Sequence, residues 1–357
     1  MQAHREKTVA PFFPGGHHPA VVYVRSGGCG AAGERVVRVN PDNGYRPPAR
    51  LVLGVYLRAL RESRGELLWA TERVGVSGTL VNRWELARFV GEPEKVARVL
   101  RFYGVPSDEA HRLVGQFPPR RHRRSESVQG DRFDVFTDHG GVHAWARLRA
   151  VDRAASEVVE YAALRLPVSV RTAAYDGWVM RPGPVSAEEG QERFSWLGKV
   201  TGNPLQRRTV LLDESVLYRT VGNAALMRRQ IRSLVQLVDQ EIRDPEAASG
   251  MRVRVLPYGA RPYPFQDGPA VAAVRVLGRD MVCRPGGPAP VYEAGTQAVL
   301  EVSRALTAAA FQEGGPERTR ELLVRAAAAC PASDEPSAPS APSAPSEVWT
   351  GFPAALS

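Results

Sequence analysis

The chain has 357 residues and a hydrophobic content of 43%, enough for two domains of ordinary size and typical of a folded globular protein. No run approaches about 18 consecutive apolar residues, and the N-terminal stretch lacks a continuous apolar segment followed by a small-residue cleavage site. Neither a membrane span nor a secretory leader is therefore expected. The formal net charge of +9 is unevenly placed: residues 1–50 carry seven Lys/Arg against three Asp/Glu, residues 51–124 fourteen against eight, and residues 125–357 26 against 27. The basic excess thus lies in the first third, which points to a polyanionic partner, nucleic acid above all. A solvated basic face is the simpler alternative.

Residues 1–50 are rich in Gly and Pro, show no sustained period and end in NPDNGYRPPAR; they are expected to form a disordered basic leader. From Leu51 the pattern turns helical. Leu53, Leu57 and Leu60 share one stripe with Tyr56 beside it, and further helical segments are expected near 67–74, 78–86, 92–103 and 107–115. Gly65, Gly75, Gly91 and Gly104 punctuate the gaps, so residues 51–117 are expected to be a compact all-α five-helix domain. Residues 118–130, with PPRRHRRSES, then read as an exposed basic linker.

Residues 131–330 mix both periods. Helices are expected at 142–164, 187–199, 223–241, 296–313 and 316–329, and strands at 208–212, 251–258 and 270–277. In the second of these strands Val253 and Val255 alternate with Arg252 and Arg254, as in a half-buried strand. Irregular succession of strand and helix argues for an α+β domain rather than a doubly wound sheet. After Cys330 the SAP triplet recurs three times, and residues 331–357 are expected to be a disordered Ser/Ala/Pro tail.

The stretch GVSGTLVNRWE, Gly75 to Glu85, admits two chemistries. Gly75-Val76-Ser77-Gly78-Thr79 nearly spells the G-x-S-x-G elbow of hydrolases, but the fifth residue is Thr79 and the preceding WATERVGV is too polar for a buried strand. Ser77 is better suited to cap a helix. Val81 and Trp84 would then pack inward, with Thr79, Asn82 and Arg83 turned away from that face. Gly75 supplies a turn between two helices, which describes a helix-turn-helix whose second helix enters the major groove.

LGVYLRALRESRGELLWATERVGVSGTLVNRWELARFVGEPEKVARVLRFYGV resembles the helix-turn-helix of the Cro/lambda-repressor (XRE) superfamily. The segments LRLPVSVRTAAYD, LLDESVLYRTVGNAALMRRQIRSL and MRVRVLPYGARPYP are similar to the C-terminal domain found in actinobacterial XRE regulators. The resemblance covers roughly residues 51–330 and implies a multidomain chain: a lambda-repressor-like domain followed by an α+β effector, dimerisation or partner-binding domain. It implies double-stranded DNA as ligand, a homodimer, and a small neighbour-encoded partner protein in an antitoxin-like pairing. By position, Gly78, Thr79 and Arg83 match base-facing residues and Ser77 a phosphate-contacting cap; Asn82 and Arg88 are further candidate DNA-binding residues. Arg61 and Glu85 match a charged pair tying the first helix to the recognition helix. The chain departs from the family at Glu66-Leu67-Leu68-Trp69, where Thr-Gln is usual, and at Pro167–Thr172, where the family carries a PGLLQT-like run.

Other constellations carry less. Cys29, Cys283 and Cys330 are odd in number and form no C-x-x-C, so neither a zinc site nor a disulfide framework is expected, and a cytoplasmic setting is. His139 and His143 flank a turn and bring no third metal ligand. Asp213 and Glu214 read as a helix-start pair, and SGGCGAAG and RPGGPAP lack the Gly-Lys-Ser/Thr of a phosphate loop. No enzyme activity, metal or cofactor is expected. The leading expectation is a transcriptional regulator. The alternatives are a ligand-binding protein or enzyme with a degenerate helix-turn-helix, and an antitoxin-like interaction module.

Overall fold

The computed structural model describes residues 46–88, 91–117, 132–140, 142–179, 205–245, 250–285, 289–312 and 315–330. The first 45 residues of the expected leader, the whole of the expected linker 118–130, the helix expected at 187–199 and the segment 331–357 lie outside the described residues.

Helix α1 (Pro48–Ser63) starts within the expected leader. Pro48 stands in its first turn, where a missing N–H costs nothing, and Pro48 and Ala49 are already buried. A 3-10 helix (Leu68–Val74), α2 (Gly78–Glu85), α3 (Pro93–Phe102) and α4 (Ser107–Gly115) follow. Strand β1 (Val135–Thr137) then leads to α5 (Val142–Ala154). The helix expected over 142–164 ends there, because Glu157–Ala162 forms strand β2. EVVEYA is β-branched and aromatic, and it lies hydrogen-bonded between two other strands, so pairing overrides the helical period.

The remaining elements are α6 (Ala173–Val179), β3 (Arg207–Asp213), α7 (Ala224–Arg243), β4 (Met251–Leu256), β5 (Ala270–Val276), β6 (Arg279–Arg284), β7 (Val291–Glu293), α8 (Gln297–Gln312) and α9 (Pro316–Ala329). The seven strands make one mixed sheet in the order β1-β7-β6-β5-β2-β3-β4. Strands β2, β3 and β4 are parallel, with Val159 opposite Thr209 and Leu211 opposite Arg254. The other pairings are antiparallel. Helices around a mixed sheet agree with the α+β expectation, although three consecutive strands are parallel. Strands β1, β6 and β7 and helix α6 had no clear sequence period.

Both sheet faces are covered. On one face Val158, Val274, Met281 and Tyr292 join a core with α1–α5, while Val210, Leu212, Val253 and Val255 pack beneath α6, α7 and α9. On the other, Val159, Tyr161, Leu211 and Val282 pack against α8. Between the first two cores runs a charged seam: Arg208, 5% exposed, donates to Asp152 of α5 and to Glu160 of β2. The helices of residues 51–117 therefore share a hydrophobic core with the sheet. The stripe of α1 is buried against α5 and the sheet as well as against its own neighbours.

Candidate nucleic-acid interface

The candidate interface is built on the turn before α2. The 3-10 helix ends at Gly75, whose φ of 72° lies in the left-handed region that glycine enters without a Cβ clash. The Thr71 hydroxyl, fully buried, lies 2.9 Å from the carbonyl oxygens of both Leu68 and Val76 and ties the two sides of the turn. Val76, 2% exposed, anchors it to the core.

Helix α2 has two unlike sides. Val81 and Trp84 are buried, at 0% and 1% exposure. Ser77, Thr79, Asn82, Arg83 and Arg88 are exposed. Thr79, Asn82 and Arg83 are spaced i, i+3, i+4 and so form one surface stripe. Arg88 follows where the chain leaves the helix through Ala87, with its N–H donating to the Arg83 carbonyl at 2.9 Å.

Two residues differ from the sequence reading. Ser77 occupies the N-cap position, but its hydroxyl makes no capping hydrogen bond; it is presented to solvent. Gly78 is buried: a Cβ there would stand 2.9 Å from the backbone C and O of Leu68. Glycine is needed here for the close crossing of α2 and the 3-10 helix, not for what it shows to a ligand.

Arg61 of α1 and Glu85 of α2 form a two-pronged ion pair, Nε–Oε1 2.7 Å and Nη2–Oε2 2.8 Å. Glu85 is 4% exposed, and its hydrogen bond raises the Arg61 pKa and keeps the cation charged. Gly54 lets the helices meet, since a Cβ at that position would lie 2.7 Å from the Trp84 carbonyl oxygen. The pair and the crossing fix the angle at which α2 is held.

A buried charge cluster absent from the sequence reading lies behind the interface. Arg147 of α5, 1% exposed, donates from Nε to Asp138 at 2.7 Å, and its Nη1 lies 2.7 Å from Glu109 of α4. Its guanidinium sits 5.4 Å from the ring centroid of Tyr56 in α1. Burial by itself would lower the Arg147 pKa, but the bonds to Asp138 and the charges of Asp138 and Glu109 outweigh it and hold the group protonated. Burial pushes the Tyr56 hydroxyl up to about 12. The local sequence hid this cluster: TDHGG reads as a plain turn, and Arg147 as one more helix arginine.

The other constellations fall elsewhere. His139 lies in the loop before α5 and His143 in its first turn, and among the described residues no group of three or more His, Cys, Asp or Glu could hold a metal ion. Asp213 caps a 3-10 turn (Glu214–Tyr218) by accepting from the Ser215 N–H, as a helix-start residue does. Arg254 is buried against Glu241 rather than exposed, so the alternation read along β4 holds only at its first residues. Cys283 is buried and Cys330 partly so, both as free thiols. Among the described residues no helix is long and apolar enough to cross a membrane.

A family model described as Domain of unknown function (DUF5753) matches residues 145–325, just over half of the chain. The chain belongs to the DUF5753 family. No curated protein and no solved structure matches it. The DUF5753 match begins inside α5 and runs through β2–β7 to α9. It holds Arg147 but not its partners Asp138 and Glu109, so the buried cluster straddles the start of the matched span. Helices α1–α4, which carry the candidate interface, lie before it.

Proposed function

We propose that this DUF5753 protein is a sequence-specific DNA-binding transcriptional regulator of the XRE type, with α2 as its recognition helix. The observation that carries the reading is the two-sidedness of α2: Val81 and Trp84 locked in the core, and Ser77, Thr79, Asn82, Arg83 and Arg88 presented together. A short helix held rigidly behind a glycine turn, with polar residues toward its exposed side, suits the major groove. Arg83 would grip guanine O6 and N7, Thr79 and Asn82 would meet base edges, and Ser77 and Arg88 would meet phosphates. The Arg61–Glu85 pair would position this helix rather than touch DNA. The basic excess of residues 1–124 would supply the salt-dependent part of binding. The α+β part would serve dimerisation, an effector or a small partner protein, and the chain would act in the cytoplasm as a homodimer.

The test begins with operators recovered by crosslinking the native protein to its genome. On such a site, fluorescence anisotropy should show Arg83→Ala weakening binding by about 1–3 kcal/mol and relaxing selectivity at one base pair. Unchanged affinity and selectivity would remove Arg83 from the reading.

A second reading, an antitoxin-like module or a ligand-binding protein with helices kept for structure, draws on one observation. Gly78 is buried, so one of three positions matched to base contacts faces the protein's own backbone. A stable complex with a neighbour-encoded protein, together with no DNA retained, would favour it.

A further inference from the structure

Helices α7 and α9 lie side by side on β3 and β4 and run antiparallel. Arg228 of α7 donates to the Cys330 carbonyl just past the end of α9, at 3.5 Å. Arg320, near the start of α9, donates to Asp239, near the end of α7, at 2.6 Å. Their apolar sides, with Leu234 and Val238 of α7 and Leu322 and Leu323 of α9, pack in the core over the sheet. The opposite sides face outward. Along α7 the exposed residues are Arg229, Arg232, Gln236, Gln240 and Arg243, at helical spacing on one side. Along α9, Glu317, Glu321, Val324 and Ala328 are exposed in the same way.

This outward face differs between its two ends. Residues 215–238 include Arg219, Arg228, Arg229 and Arg232 but no Asp or Glu, and the adjoining residues 322–330 of α9 add Arg325 and no carboxylate. Among the described residues neither Arg229 nor Arg232 has an ion-pair partner. The carboxylates of the face stand at the other end, about 20 Å away at 1.5 Å per residue. There Asp239, Glu317 and Glu321 line a groove of about 600 Å³ together with Ile242, Arg243 and Arg320. Asp239 already holds Arg320, while Glu321 makes an exposed pair with Arg318, of a kind worth little in water. Glu317 has no ion-pair partner among the described residues. Val324, apolar and 44% exposed, stands between the two ends.

A face with free cations at one end, carboxylates at the other and an apolar residue between them complements itself across a two-fold axis. A second copy turned through that axis sets its Arg229 and Arg232 over Glu317 and Glu321, twice by symmetry, with the Val324 side chains near the centre. Two helices of this length about 10 Å apart present about 500 Å². The two copies together would bury about 1,000 Å², the lower bound of a specific interface and suited to a reversible dimer. A purely acidic partner, whether protein or nucleic acid, would answer the arginines and leave the carboxylate groove facing like charge.

We propose that the outward face of α7 and α9 is the homodimer contact of this chain, closed by reciprocal pairing of Arg229 and Arg232 with Glu317 and Glu321 of a second copy. It rests on the homodimer of the reading above and not on DNA recognition by α2.

Sedimentation equilibrium of the full chain without DNA tests it. One variant carries Arg229→Glu and Arg232→Glu, the other Glu317→Arg and Glu321→Arg, all at exposed positions. Each variant alone sets like charge against like and should raise the dimer dissociation constant at least about tenfold. An equimolar mixture of the two should recover dimers, because every contact is again opposite in sign. A parent dimer indifferent to either reversal overturns this inference alone. So does a loss in both variants that mixing fails to restore. A parent that stays monomeric at every concentration overturns it together with the homodimer of the reading above.

Discussion

Tyr103 shows how a single side chain can carry a measurable conflict. It is 1% exposed, and its hydroxyl finds no hydrogen-bond partner among the described residues. Burial, with the nearby Glu85 charge, pushes its pKa up to about 12. A group whose folded-state pKa lies above its unfolded value of about 10 stabilises fully below pH 10 and loses that contribution as pH rises toward 12. Tyr103→Phe removes an unsatisfied buried hydroxyl while keeping the ring. It should be neutral or stabilising by about 1 kcal/mol in urea unfolding at pH 7. The advantage should widen between pH 10 and 12, and a variant that unfolds more readily at both pH values would contradict this account. Arg61 and Glu85 lie on the same side of the domain and raise the opposite issue. There the carboxylate of Glu85 is buried against Arg61, so removing the arginine leaves it uncompensated, while Arg61 keeps a bond to the Glu66 carbonyl.

At the scale of elements, α2 is defined by how closely it approaches its neighbours. Val81 and Trp84 give it an apolar side of the usual kind, but two glycines set its position. Gly54 admits the carbonyls of Trp84 and Glu85 against α1, and Gly78 admits the backbone of Leu68. Both obstacles are main chain, so neither can rotate away as a side chain would. Gly78→Ala should therefore destabilise the protein by about 1–3 kcal/mol, the usual cost of overpacking. If α2 reads DNA as proposed, the same change should weaken operator binding by displacing α2, although Gly78 itself has no side chain to lose. Circular dichroism melts and anisotropy on one preparation would check both effects. An alanine variant as stable as the parent would mean that the crossing relaxes freely.

At the scale of the whole molecule, the described residues behave as one packed body and not as a reader on a tether. The core around α1 continues into β2, β5, β6 and β7, and Arg147 joins α5, α4 and the loop after β1 through buried charges. Cooperative unfolding follows from such sharing. Calorimetry should give one transition for the helices and the sheet together. Arg147→Ala, which strands buried Asp138 without this cation and leaves Glu109 with Arg112 alone, should lower stability by about 3–5 kcal/mol and shift that single transition. Two resolved transitions would mean that the helices and the DUF5753 region fold apart.

Features that depend on neighbours in the chain were legible from the residues alone. The order and ends of α2–α4, the turn at Gly75, the inward Val81 and Trp84, and the outward Thr79, Asn82 and Arg83 all follow from local period and from the conformational freedom of glycine. So do α7, α8 and α9, whose apolar stripes are long. Features that depend on distant partners were not. Glu157–Ala162 becomes a strand because β3 and β5 hydrogen-bond to it from either side. Arg147 and Arg254 are buried because carboxylates from other elements meet them. Gly78 faces Leu68 rather than a ligand because two helices cross there. Local sequence sets the periodicity of each segment, while burial of its charges and approach of its backbone are settled only when segments remote in the chain pack together.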